Sequence, residues 1–418
     1  MTNTLKRLLQ DATRLTQTGR LAEATQALQR NLHDQRSGGL ARGFGGKLTS
    51  SLGEVLRTAL GGLASANTST ASGMVIDGCV TEPGRTPSSA ADHAADANPT
   101  TNTTHPGQFT SASHSHGGLT RAYKLYAPPG AHTDNTRRPL LVMLHGCTQN
   151  PDDFATGTGM NALAQQHGVW VLYPAQSADA NPQRCWNWFK HNHQQRDRGE
   201  AGWMAHLTQT LLAQHPIDPA RVYIAGLSAG GAMAASVAAA YPELYAAVGV
   251  HSGLAAGAAT SLPQALQAMR SGAGATPAAT GVAIPTIVFH GASDSTVHPS
   301  NGEQVIASVR QANQASRQAA GLQAGLPAAT TEQGQAAGGR RYTRHSQTRA
   351  DGSPLTEHWL VHGAGHAWSG GQPAGSYTDA SGPDASAEML RFFLAQRSAQ
   401  RAAQRSTQSA ATAAPPLA

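Results

Sequence analysis

The sequence predicts an α/β protein, with a mainly parallel sheet covered by helices on both faces. Three observations support this. Short apolar runs alternate with stretches of helical periodicity from about residue 121 onward. One run, Val222 to Ala225, enters Gly226-Leu-Ser-Ala-Gly230 and continues as an alanine-rich helical pattern to Ala240. Residues able to do chemistry follow the ends of apolar runs, at the edge where open α/β sheets carry their sites.

At the amino terminus, Leu5, Leu8, Leu9, Ala12 and Leu15 repeat at helical spacing until Gly19; Leu21, Ala24, Leu28 and Leu32 continue it. Residues 1–65 are therefore expected to hold a helical hairpin, similar to half a tetratricopeptide unit. One such pair cannot bury its own apolar face, so it must dock on the ordered domain, on a partner or on a hydrophobic granule surface. Residues 66–118 are rich in Thr, Ser, Ala, Asn and Pro and predict a linker. His105, His114 and His116 then belong to a solvated loop in preference to a metal site, having no Cys or paired carboxylates nearby.

Order is expected over 119–396. Predicted strands are 123–126, 140–144, 169–173, 222–225, 247–250, 284–289 and 358–361; predicted helices are 159–167, 201–214, 231–240, 301–316 and 385–396. A low-complexity patch at 317–340 interrupts the domain, and 397–418 is expected to be a frayed, polar tail.

Composition sets outer bounds. The 418 residues are 39% hydrophobic and 13% charged, low values that fit an ordered core with pliable extensions. The net charge of +6 is scattered, with no basic stripe interleaved with aromatics, so nucleic-acid binding is not expected. No apolar stretch resembles a signal-peptide core or reaches the ~18 residues of a membrane span, which predicts an intracellular chain without a transmembrane segment. Cys79, Cys147 and Cys185 are too few for a disulfide scaffold or metal cluster.

Strand, G-x-S-x-G turn and helix together define a nucleophile elbow with Ser228 at its tip. With 45 glycines, roughly 0.3 accidental matches are expected, so the pattern needs support from its surroundings. Serine also needs a base. His366, in a glycine-rich loop after the last strand with Trp368 nearby, is the candidate, and His362 is its rival. A carboxylate must hold that base; Asp294 follows the apolar run 284–289, whereas Asp379 and Asp384 precede a helix and could cap it. The order Ser228, Asp294, His366 is that of an α/β-hydrolase. Oxyanion donors are expected at the Ala229 amide and, after the run 140–144, at the Cys147 amide, with Gly146 as alternative.

His145-Gly-Cys-Thr-Gln149, Cys185-Trp-Asn-Trp188, Gly226-Leu-Ser-Ala-Gly-Gly-Ala-Met233, the Asp294 segment and Gly365-His-Ala-Trp-Ser-Gly-Gly371 together resemble the poly(3-hydroxybutyrate) depolymerase family of esterases. That family neighbours feruloyl and acetylxylan esterases on the α/β-hydrolase fold. The resemblance covers about residues 121–396. It implies that Ser228, Asp294 and His366 form a catalytic triad, and that Cys147 lies at the oxyanion hole. It also implies a Cys147–Cys185 pairing, although an intracellular chain would keep both thiols reduced. Secreted relatives imply an extracellular location, against the missing signal; no carboxyl-terminal binding domain is expected.

Trp186, Trp188 and Phe189 could be core or cleft wall, with Trp188 the better substrate contact and Trp186 and His145 as further ones. The expected activity is a serine carboxylesterase with no metal or cofactor. Its substrates would be polyhydroxyalkanoate-type oligomers, polyester or small esters. A feruloyl- or acetylxylan-type esterase is the alternative within enzymes. A non-catalytic granule- or partner-binding protein is the alternative outside them.

Overall fold

The computed structural model describes residues 107–273, 282–321 and 328–397. The hairpin expected over 1–65, Cys79, His105 and the tail beyond 397 lie outside them.

Ten strands form one sheet. In chain order they are β1 (Gln108–His116), β2 (Leu119–Ala127), β3 (Arg138–Leu144), β4 (Trp170–Pro174), β5 (Ile217–Leu227), β6 (Ala247–His251), β7 (Thr286–Gly291), β8 (Thr330–Gln335), β9 (Arg341–Thr348) and β10 (Pro354–Val361). Their spatial order is β1-β2-β4-β3-β5-β6-β7-β10-β9-β8. The six strands from β4 to β10 pair in parallel, while β1, β2, β9 and β8 are antiparallel margins. A separate two-stranded pair joins β11 (Trp368–Ser369) to β12 (Thr378–Asp379).

The helices are α1 (Pro151–Thr158), α2 (Met160–His167), α3 (Gly199–Gln214), α4 (Ala229–Ala240), α5 (Leu262–Ser271), α6 (Ser300–Ala319) and α7 (Ala385–Leu394). Alternation along the strands divides the core. Leu140, Val142, Leu144, Val248 and Val250 face α3, α4 and α6, packing with Met204, Leu207, Met233, Val237 and Val305. Leu141, Met143, Tyr223, Ile287 and Phe289 face α1, α2 and α7, packing with Phe154, Met160, Met389 and Phe393. Burial on both faces is why these strands are continuous apolar runs. The helix α4 is buried nearly all round, which accounts for its Ala- and Gly-rich sequence.

Three expectations need correction. Strand β1 occupies 108–116, inside the stretch assigned to a linker. It is mostly exposed and polar, so it carries no apolar signal. Its ladder to β2 and its contacts with α3 hold it in place. His114 Nε2 lies 2.8 Å from His206 Nδ1 and the His116 ring stacks on His206 at 3.8 Å, so these histidines are not in a solvated loop. Similarly, α6 runs to Ala319 and β8 covers 330–335 within the supposed low-complexity patch, again as an exposed ladder strand. Helices α1 and α5 and strand β9 were not expected. No helix among the described residues is long and apolar enough to cross a membrane.

Candidate active site

The register aligns Leu227 with His251, His251 with Phe289, and Phe289 with Trp359. The segments carrying Ser228, Asp294 and His366 thus leave β5, β7 and β10 at one carboxyl edge of the sheet, with β6 between the first two.

Ser228 sits at the β5–α4 junction with φ 57° and ψ −119°. A non-glycine residue there costs on the order of 1–3 kcal/mol and must be held by its surroundings. Its N–H donates to the His251 carbonyl at 2.8 Å. The flanking glycines are sterically required. A Cβ on Gly230 would lie 2.1 Å from the Leu144 carbonyl oxygen, and one on Gly226 would lie 2.5 Å from the Gly230 carbonyl carbon.

Asp294 and His366 meet directly. His366 Nδ1 is 2.7 Å from Asp294 Oδ2, and Asp294 Oδ1 accepts the N–H groups of Thr296 and Val297, each at 2.9 Å. Burial alone would raise the Asp294 carboxyl. The His366 hydrogen bond and charge, the Val297 N–H and nearby His290 outweigh burial and hold it below the usual carboxylate range. A carboxylate at Nδ1 fixes the proton there and leaves Nε2 as the basic nitrogen. Among the described residues no hydrogen bond joins Ser228 Oγ to His366; such bonds often tighten only with substrate bound. His362 instead bonds Thr343 Oγ1 at 2.9 Å. Asp379 pairs with Arg340, and Asp384 caps α7 by accepting the Ala387 N–H at 2.9 Å.

The two oxyanion candidates separate cleanly. The Gly146 N–H donates to Gln149 Oε1 at 2.9 Å and is occupied. The Cys147 and Ala229 amides have no hydrogen-bond partner among the described residues. Gln149 is held by Asp153 and Ser376, so it is a strut for this loop. A disulfide joins Cys147 to Cys185 and ties the same loop to the 181–189 segment.

The three expected substrate contacts, His145, Trp186 and Trp188, are all buried. His145 is buried: its Nε2 accepts the Gln176 N–H at 3.1 Å, and its Nδ1 lies 2.7 Å from the Gly146 carbonyl. Both ring nitrogens are therefore used within the protein. Burial, reinforced by Arg184, lowers its pKa to about 4 against the pull of Gly146 and Asp153. Trp186 is fully buried, with Arg121 stacked on its ring at 5.7 Å. Glu200, also buried, gathers Arg121, Gln176 and Asn187 beside them. Trp188 is buried too, packing edge-on to Phe189.

His251 was not anticipated. Its carbonyl holds Ser228 and its Nε2 accepts the Ser369 N–H at 2.9 Å, linking the elbow to the His366 loop. Burial first, then the charges of His290 and His366, push its pKa well down, so the ring stays a neutral acceptor. No motif signals such a residue, because its partners are distant in sequence. A cavity of about 720 Å³ lies beside α4 and α6, and none of Ser228, Asp294 and His366 lines it. Its lining combines alanine, valine and isoleucine with Gln194, Gln195, Arg196 and Arg198.

Sheet order, elbow and edge loops define an α/β-hydrolase. The solved acetyl xylan esterase from Aspergillus awamori has the same fold, with a TM-score of 0.50 at 19% identity over 68% of this chain and 99% of that one. The family model described as esterase PHB depolymerase matches residues 121–335, so the chain belongs to that family. It is 32% identical over 240 residues to the poly(3-hydroxyalkanoate) depolymerase C of Paucimonas lemoignei, 54% of each chain. It is 29% identical over 192 residues to the feruloyl esterase B of Thermothelomyces thermophilus, 41% of this chain and 64% of that one. The chain spans about half the length of the first of these relatives and under two thirds of the second.

Proposed function

We propose that this chain is a serine carboxylic-ester hydrolase working through an acyl-enzyme on polyhydroxyalkanoate-type oligomers, polyester or small esters. The carrying observation is the Asp294–His366 hydrogen bond at the sheet edge that also bears the strained Ser228 elbow. In this reading His366 Nε2 takes the Ser228 proton as Oγ attacks the ester carbonyl. The Cys147 and Ala229 amides receive the developing oxyanion. His366 then returns the proton to the leaving alcohol, and water repeats the cycle to free the acid.

The polyester reading draws on family membership and on the depolymerase relative. A feruloyl- or acetylxylan-type specificity is the second reading, favoured by the feruloyl esterase relative. Acyl-pocket shape decides between them. Hydrolysis of hydroxybutyrate oligomers against methyl ferulate separates the two. The proposal as a whole is tested with p-nitrophenyl butyrate: Ser228→Ala should abolish turnover while the protein stays folded. A folded variant with parental turnover would overturn the Ser228 mechanism, and folded parent protein without turnover would favour the non-catalytic binding reading. Docking of residues 1–65 on a hydrophobic granule is a finer proposal, supported by their helical periodicity and tested by co-sedimentation of the full chain with granules.

A further inference from the structure

We propose that Tyr377 contacts substrate and sets a preference for extended esters over small ones, a reading that rests on the Ser228 site proposed above. Tyr377 is a large aromatic residue left 46% exposed, although it sits between two elements of that site. Its hydroxyl lies 3.1 Å from Thr148 Oγ1, and that oxygen donates to the Cys147 carbonyl at 2.6 Å. Its own carbonyl accepts the Trp368 N–H at 2.7 Å, two residues beyond His366. The ring therefore hangs from a bridge between the loop of an oxyanion donor and the loop of the base.

The backbone strengthens the inference. Tyr377 has φ 52°, a left-handed conformation disfavoured for a bulky side chain. Stability alone would favour glycine at this position. The bridge is fixed on both sides without the ring: Ser376 is held by Asp153 and Gln149, and Thr378 pairs with Trp368 in β11–β12. An exposed ring on a strained backbone contributes little to folding. An aromatic face between these two loops suits the repeating chain of a hydroxyalkanoate oligomer or an aromatic acid ester. A small ester such as an acetate ends before reaching it.

Tyr377→Gly in the full chain provides the test, with p-nitrophenyl acetate and the linear trimer of 3-hydroxybutyrate as substrates. The ratio of kcat/KM for trimer to that for acetate should fall about 10-fold or more, mainly through KM for the trimer. The melting temperature should hold or rise, because glycine relieves the backbone. Tyr377→Phe, which keeps the ring and loses the hydroxyl, should retain the ratio, and Tyr377→Trp should restore it relative to glycine. An equal loss on both esters, or an unchanged ratio in the glycine variant, would overturn the proposal. A ratio that falls as far in the phenylalanine variant would overturn it too, by assigning the effect to the Thr148 contact. Parent protein that hydrolyses neither ester and resists a fluorophosphonate would instead mark failure of the Ser228 reading.

Discussion

Strands β3, β4, β6 and β7 are buried almost throughout, whereas β1 and β8 at the two ends of the sheet are mostly exposed. The central strands are held by apolar packing on both faces, and the loops leaving β5, β7 and β10 in this central block carry Ser228, Asp294 and His366. The margins rest on backbone ladders and a few edge contacts, such as Phe109 against Tyr173 at 5.6 Å. The rigid centre can therefore sustain the strain at Ser228, while the margins tolerate polar, low-complexity sequence. Substitutions at the central edge should change chemistry without changing stability much, and substitutions at the margins should do the reverse.

The largest expected effect is at the centre. Ser228→Ala should cost at least ~10⁴-fold in kcat, and Asp294→Asn ~10³- to 10⁴-fold, with both proteins melting near the parent. Steady-state kinetics on p-nitrophenyl butyrate would read both. Next is Cys185→Ser, which opens a link across 38 residues and should lower unfolding free energy by roughly 4 kcal/mol in the chain-entropy picture. Urea titration with and without reductant measures it; no difference would show the thiols unpaired in solution.

A smaller effect concerns pH. His145 is held neutral with its pKa lowered to about 4, so the unfolded chain binds its proton first as pH falls. Its contribution to stability is complete above the unfolded value near 6.5 and is lost as pH drops from there toward about 4. Asp294, held below its ordinary range, adds a further loss at more acid pH. Chemical unfolding across pH 7 to 4 should show falling stability, and a flat profile would contradict the burial assigned to His145. Least of all, Phe109→Ala at the margin should cost about 1 kcal/mol and leave kcat unchanged. A large kcat loss there would break the contrast between centre and margins.

The same contrast explains what the sequence made legible. Six parallel strands and the Ser228 turn were visible because burial on two faces writes apolar runs, and a steric requirement writes paired glycines. Strands β1, β8 and β9 were missed because a half-exposed ladder needs no apolar run. A trace of β1 was present: Gly117-Gly118, both with positive φ, is a two-residue hairpin signal between His116 and Leu119. His145 and Trp186 were placed near substrate because they adjoin site motifs, but proximity in sequence does not say which way a side chain points. His251 and Tyr377 act on partners far along the chain, so no local spacing could reveal them.

Intact-mass analysis of the full chain after a fluorophosphonate pulse tests the central claim most directly. One adduct per chain is expected, mapped to Ser228, absent from Ser228→Ala and formed much more slowly in His366→Gln. Labelling that persists in folded Ser228→Ala, or a rate indifferent to loss of the imidazole, would contradict a serine activated by His366.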